Sequence, residues 1–180
     1  MQIFEGFFYH VYNQANNRVK VFLDDEDYIY FLGRTKAWIA ESADILAYCI
    51  MPNHFHFLIH ANYKSTERLK VGSLSLSRVS NGFRLLQSQY AQYFNRKYGR
   101  LGSVFRPKIK WKVLDSFTND YVTNCFNYIH NNPIEAGLSP SPKSWKYSSF
   151  VEYRGLKMDP LVNRQLAKDY VNIDWEDFCS

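Results

Sequence analysis

Hydrophobic and polar residues change their spacing several times along this chain, and each change marks an element. Ile3 to Tyr12 is rich in Phe and Tyr and predicts a first strand; Asn13 to Lys20 is polar and turn-like. Asp24 or Asp25 offers an N-cap for a helix to about Ala40, with Tyr28, Phe31, Leu32 and Trp38 at helical spacing. Two strand-like runs follow, Asp44 to Met51 and His54 to His60, joined at Pro52-Asn53 as a hairpin. Asn62 to Ser80 is polar and reads as a partly ordered loop. Helical spacing returns from Phe83 to Tyr98, and Gly99 supplies a C-cap. Val104 to Leu114 reads as a fourth strand. Ser116 or Thr118 can cap a further helix through Tyr121, Cys125 and Tyr128 towards Asn132-Pro133. Ser139 to Ser144 looks like a linker, and the residues beyond Arg154 like a short helical appendage.

Strand, helix, strand, strand, helix, strand, then an extra helix is the order of an α+β, ferredoxin-like βαββαβ fold. It predicts an antiparallel sheet with helices on one face, plus a C-terminal helix. The expected division is a main domain over 1–154, including a helix over 117–132, and an appendage over 155–180. In this topology the first and third strands are central, so the strand 54–60 lies mid-sheet. The fourth strand is an edge, which suits Pro107 within it.

On the 54–60 strand, His54 and His56 point to one face while Phe55 and Phe57 point to the other. Two parallel imidazoles on so apolar a strand are either packed polar groups or two-thirds of a metal site, and the pair alone leaves both open. On the helix before Pro133, Tyr128 and Asn132 stand four residues apart and share a face. An amide oxygen can join two imidazoles in a mixed nitrogen and oxygen set that suits Mn²⁺ or Mg²⁺ at a phosphate. A phenol beside it could attack phosphorus covalently, and because tyrosine ordinarily titrates near about 10, an adjacent cation would help it ionise. The ordinary alternative is a core tyrosine and an asparagine that merely ends a helix before proline. Tyr121, seven residues earlier on nearly the same face, is the rival nucleophile, but its i+4 neighbour is Cys125, a poor ligand for a hard cation.

Composition narrows the partners. At 180 residues and 46% apolar content the chain supports one well-filled core rather than disorder. Aromatics make up 18%, more than such a core requires, so some rings are available to surfaces that meet something flat or anionic. The net charge of +5 and pI near 9.0 favour a polyanion, nucleic acid first and a membrane surface second. Three widely spaced cysteines (Cys49, Cys125, Cys179) suggest neither a disulfide framework nor a cysteine-type zinc site. The first twelve residues do not read as a secretion signal, and no apolar run has the length of a membrane span, so the expected compartment is the cytoplasm.

Arg106, Lys108, Lys110 and Lys112 alternate with Ile109, Trp111 and Val113 along the predicted fourth strand. Such a face is either simply solvated, with lysines that discourage edge pairing, or a track for phosphates. Arg84 and Arg96, on the predicted helix 83–98, extend the basic inventory as candidate DNA contacts, while its tyrosines read mainly as core.

Met51-Pro52-Asn53-His54-Phe55-His56, Phe94-Asn95-Arg96, Gly102 to Phe105 and Tyr128-Ile129-His130-Asn131-Asn132-Pro133 followed by Ala136-Gly137-Leu138 together resemble the HUH single-tyrosine transposases. Within them, the REP-associated tyrosine transposase branch is the nearest in pattern. Pro142 to Tyr153, with Trp145-Lys146-Tyr147-Ser148-Ser149, matches that branch after the tyrosine helix, and the resemblance covers most of residues 7–153. It implies that His54, His56 and Asn132 are ligands of Mg²⁺ or Mn²⁺ and that Tyr128 is the nucleophile. It also implies cleavage of single-stranded DNA beside hairpins through a 5′-phosphotyrosine, later reversed by a free 3′-hydroxyl. Insertion-sequence relatives place Gln at the third ligand, work as homodimers and can exchange the tyrosine helix. Asn132 departs from them, which leaves a homodimer and helix exchange open. Two other readings stand beside this one: a domesticated protein that binds hairpin DNA without cutting it, and a metal-dependent nuclease in which water attacks. His10 and His60 are candidates only for structural or supporting roles.

Overall fold

Alternation along the central strand sends Phe55 and Phe57 into one layer and His54 and His56 towards another, and the fold is built on that division. The computed structural model describes residues 2–114, 119–155 and 160–179. Its elements begin with β1 (Phe8–Gln14), α1 (Asp25–Thr35), β2 (Asp44–Met51), β3 (His54–His60) and the single turn α2 (Tyr63–Thr66). A small hairpin, β4 (Arg68–Val71) and β5 (Leu74–Ser77), leads into the long α3 (Arg78–Tyr98) and then β6 (Lys110–Leu114). The chain finishes with α4 (Asn119–Glu135), α5 (Phe150–Tyr153), α6 (Arg164–Tyr170) and α7 (Trp175–Cys179).

The main sheet has the order β2-β3-β1-β6, antiparallel throughout, so β1 and β3 are central as the ferredoxin-like reading expects. Helices α1 and α3 cover one face, where Phe31 meets Phe55 and Phe83 lies between Phe57 and Trp111. Asp24 caps α1 in a reciprocal capping box with Asp27. The expected run to Ala40 is met by a wider π-type turn over Lys36–Ala40. Helix α3 closes at Gly99 in the left-handed conformation, as predicted. On the opposite face α4 packs over β2 and β3, and its Val122, Phe126 and Ile129 are all essentially fully buried.

Four expectations need correcting. The first strand starts at Phe8 rather than Ile3 and includes Asn13 and Gln14. The predicted loop 62–80 holds α2, the β4–β5 hairpin and the first residues of α3. The fourth strand is only Lys110–Leu114: Phe105 turns into the core against Phe22, Phe31, Phe55 and Tyr90, and Pro107 lacks the N–H a ladder needs. Arg106 and Lys108 therefore precede the strand. Helix α4 does not stop at Asn132 but continues through Pro133 to Glu135. The expected caps Ser116 and Thr118 lie outside the described residues.

Segments read as linker and appendage pack on the same body. Residues 147–149 hydrogen-bond along β2, with Ile50 N donating to Tyr147 O and Ser149 N to Tyr48 O, which covers that sheet edge. Trp175 and Phe178 of α7 stack around Phe126 of α4, and Tyr170 of α6 packs on Phe8 and His60.

Candidate active site

Cross-strand register gathers the polar face of the sheet. Tyr12 lies opposite His56 and Lys110, and His10 lies opposite Lys112, so these side chains share one face. Lys110 and Lys112 thus share one face, as the alternating pattern predicts, and the register makes it the histidine side. Helix α4 crosses the same face and sets the ring of Tyr128 edge-on to His56 and to His10, with centroids 5.6 and 5.9 Å away. The Tyr128 side chain is 42% exposed, so the phenol borders solvent while its ring leans on the imidazoles. Tyr128, His54 and His56 line a cleft of about 420 Å³ together with Arg106, Lys108 and Lys110. Lys112 and Tyr121 line the adjoining cleft, which also reaches Tyr128.

Each histidine is oriented by a partner. His54 Nδ1 lies 2.6 Å from Asn53 Oδ1, so Nδ1 carries the proton and Nε2 keeps its lone pair. His56 Nδ1 lies 2.9 Å from His10 Nε2 in a buried contact, which likewise leaves His56 Nε2 as the remaining ring nitrogen. Asn132 is 8% exposed, and its Nδ2 donates to Tyr128 O at 2.9 Å. That bond leaves the amide oxygen uncommitted, and the Asn132 side chain neighbours His54.

Burial keeps these rings neutral. It holds His56 well below the usual histidine range, with the neighbouring His10 and His54 adding to the effect. His10 is pushed down to about 4, by burial first and by the Lys112 charge second. Burial also lowers His54, and Asn132 partly opposes it. Neutral imidazoles are the form that binds a metal.

The donor set fits a divalent cation in one particular way. Among the described residues, no group of three or more His, Cys, Asp or Glu could hold a metal ion. The described residues that could hold a cation here are the two imidazoles and the Asn132 amide, a type of donor outside that set. Asn53 and His10 are the supporting partners that metal-bound histidines commonly have. With no carboxylate among these described donors, a bound cation would keep its charge for an anionic ligand, and the surrounding lysines and Arg106 would favour one too.

The other expected residues divide. Arg84 lines a shallow cleft on the α3 side together with Arg106 and Pro107, and its Nε donates to Asn81 Oδ1. Arg96 lies exposed in the last turn of α3, on the opposite face of the sheet, and is not brought to the cleft. His60 sits at the far end of β3 beside Asp44, away from Tyr128. Burial pushes the Cys125 thiol up to about 12, and all three cysteines are free. Two contributors were missed in the sequence. Tyr12 stacks on His56 at 5.6 Å, and Asn13 Nδ2 donates to Arg106 O at 2.9 Å, pinning that backbone beside β1. Tyr12's position two residues after His10 on a strand was its available signal.

The architecture is that of a ferredoxin-like sheet carrying a paired-histidine cleft beneath a tyrosine helix. A solved structure with this fold is the REP-associated tyrosine transposase bound to a REP hairpin, matched at a TM-score of 0.62 over 89% of this chain and 87% of that one. Identity is 16%, so the likeness is one of fold, and it falls in the branch whose motifs the sequence resembles. A bacterial tRNA(His) guanylyltransferase-like protein also matches, in its GTP and ATP complexes. Those matches have TM-scores of 0.42 and 0.41 at 11% and 12% identity. They cover 78% and 81% of this chain, and 72% and 69% of the other. No protein-family model and no curated protein matches the sequence. Among the described residues, no helix is long and apolar enough to cross a membrane.

Proposed function

We propose that this protein cleaves and rejoins single-stranded DNA near hairpins, using Tyr128 as the nucleophile. The observation that carries the reading is the meeting of Tyr128, His54 and His56 in one cleft walled by Arg106, Lys108 and Lys110. A nucleophile, neutral ring nitrogens and cations with no carboxylate partner among the described residues suit a phosphodiester. A bound Mg²⁺ or Mn²⁺, held by His54, His56 and Asn132, would polarise the scissile phosphate.

The chain's own groups supply the rest. Arg106, Lys108 and Lys110 hold the flanking backbone, and Lys112 extends that hold along β6. The Tyr128 oxygen loses its proton and bonds to phosphorus as the bond from phosphorus to the 3′-oxygen breaks. That 3′-oxygen takes up a proton, and the strand stays on the enzyme through a 5′-phosphotyrosine. Attack by a 3′-hydroxyl reverses the step without ATP. Asn132 links nucleophile and ligand directly, because the amide beside His54 is fixed to the backbone carbonyl of Tyr128.

The test incubates the protein with hairpin-bearing single-stranded DNA and Mn²⁺ or Mg²⁺, then looks for a denaturation-resistant adduct. The expected adduct disappears in Tyr128→Phe and is strongly weakened in His54→Ala. Product without adduct at any time favours attack by water, and binding without cleavage favours a hairpin-binding module. Loss of the adduct on exchange of Tyr121 alone overturns the choice of Tyr128.

A further inference from the structure

Backbone strain in this fold is concentrated in the connection between β1 and α1. Among the described residues, Asn17 and Arg18 are the only non-glycine residues at positive φ, 55° and 56°. Left-handed backbone suits asparagine tolerably and a long side chain such as arginine poorly, so two in succession persist only where their surroundings enforce them. Here they do. Ala15 N donates to Asn53 O at 2.8 Å, and Val21 N and Phe22 N both donate to Pro52 O, at 2.7 and 3.1 Å. Asn16 is anchored on the other side, its N donating to Val104 O and its Nδ2 to Ser103 O, each at 2.9 Å. The connection thus grips the Pro52-Asn53 turn, from which the histidine strand β3 starts, both before and after the strained pair.

The strained pair controls the direction of one carbonyl. Arg18 O accepts from Asn53 Nδ2 at 3.1 Å, while the Arg18 side chain itself is exposed. A carbonyl cannot donate, so that end of the Asn53 amide is the NH₂, and Oδ1 is the end lying 2.6 Å from His54 Nδ1. His54 Nδ1 then carries the ring's proton, and Nε2 keeps the lone pair for the cleft that Tyr128 lines. An Asn53 amide turned the other way would present N–H to Nδ1, and the proton of the neutral ring would move to Nε2. The tautomer of His54 is therefore decided by a backbone carbonyl in a different loop, one that points there because Asn17 and Arg18 are left-handed.

We propose that the left-handed Asn17-Arg18 turn is a positioning element for His54, which by fixing the Asn53 amide sets which ring nitrogen faces the cleft. The inference rests on reading His54 as a ligand in the strand-transfer site, and it adds the residues that keep that ligand ready. Two substitutions at one position separate backbone from side chain. Arg18→Val and Arg18→Gly both remove the guanidinium, but a β-branched residue opposes positive φ and glycine adopts it freely. In metal-free protein, ¹⁵N NMR of the histidine rings reads the tautomer, and calorimetric titration then reads Mn²⁺ affinity. Wild type and Arg18→Gly show His54 protonated on Nδ1 and the same Mn²⁺ affinity. Arg18→Val shows a mixture of tautomers and about tenfold weaker Mn²⁺ binding, as loss of an orienting partner entails. Asn53→Ala, an independent route to the same loss, matches Arg18→Val in both readouts, and adding Arg18→Val to it changes neither further. His54 wholly protonated on Nδ1 in Arg18→Val or in Asn53→Ala overturns the proposal, and so does equal weakening in Arg18→Gly and Arg18→Val. Failure of wild-type protein to bind Mn²⁺ overturns the ligand reading instead, because the tautomer is read without metal.

Discussion

Replacing His10 by Leu tests whether the His10–His56 contact serves the site or merely fills space. The substitution puts an apolar side chain of similar bulk in place of the partner of His56 Nδ1, which sits 2.9 Å from His10 Nε2 on a ring only 5% exposed and must carry the proton if His56 Nε2 is to hold a cation. Leaving that buried N–H unpaired costs about 2 kcal/mol, which for a chain of this size lowers the melting temperature by roughly 6 °C. The effect on metal binding should be larger than bulk alone predicts. The freed ring can rotate or carry its proton on Nε2, where the lone pair is needed, and loss of such a partner costs about 10- to 100-fold in metal affinity. Mn²⁺ titration followed by calorimetry, alongside thermal melts, reads the two effects separately. His10→Gln, which can return an acceptor to Nδ1, should recover much of the Mn²⁺ affinity. Wild-type Mn²⁺ affinity in His10→Leu would refute the reasoning, and so would equal weakening in Leu and Gln variants of equal stability.

Asp27 is fully buried and accepts from Tyr98 OH, Lys97 Nζ and the backbone N–H of Leu23. Asp27→Ala should cost about 2 kcal/mol, since Leu23 N–H and Tyr93 OH lose this acceptor while Lys97 and Tyr98 keep only Asp24 and Glu26 at the surface, and a chemical-denaturation midpoint unchanged from wild type would contradict this. Asp44 is held below the ordinary carboxylate range, chiefly by His60 and further by Asn163 and Asn62. A depressed folded-state pKa means that its contribution is complete above about pH 4 and disappears as pH falls through the folded value. Asp44→Asn should therefore flatten the acid limb of the stability profile below about pH 4, and an acid limb identical to wild type would contradict the assignment.

What could be read from the residues follows from how locally each feature is encoded. The hairpin of β2 and β3 is framed by apolar runs on either side of Pro52-Asn53, so its bounds coincide with the expectation. The cap of α1 and the stop of α3 at Gly99 are likewise local chemistry. The β4–β5 hairpin was equally local, since Arg68-Leu69-Lys70-Val71 and Leu74-Ser75-Leu76-Ser77 alternate around Gly72-Ser73, but its polarity masked the period of two. By contrast, the early end of the fourth strand depends on Phe105 finding a place among four distant rings, which no local pattern contains. Helix α4 ran past Pro133 because the helical path is supported from outside, by the sheet beneath and by α7 above. Tyr12 and Asn13 joined the site through strand register, a long-range property that spacing alone does not specify, whereas strand order had already made His10 a candidate for a supporting role.

Those register contacts explain an arrangement that would otherwise be unfavourable. Three imidazoles lie beside Lys110, Lys112, Arg106 and Lys108, and a protonated ring there would repel both its neighbours and any cation bound between them. Burial removes the difficulty: His10 and His56 sit in the wall of the sheet, where desolvation keeps them uncharged, while the lysines and arginines stay at the exposed rim. The neutral nitrogens and the positive rim are therefore separated by depth rather than by distance along the chain. A partner suited to both, as the proposed function requires, would be anionic enough to cover the rim and would present an oxygen to a cation held by the buried nitrogens. A phosphodiester backbone does this, and Tyr128, half in solvent with its ring against the imidazoles, stands where that backbone would cross from one zone to the other.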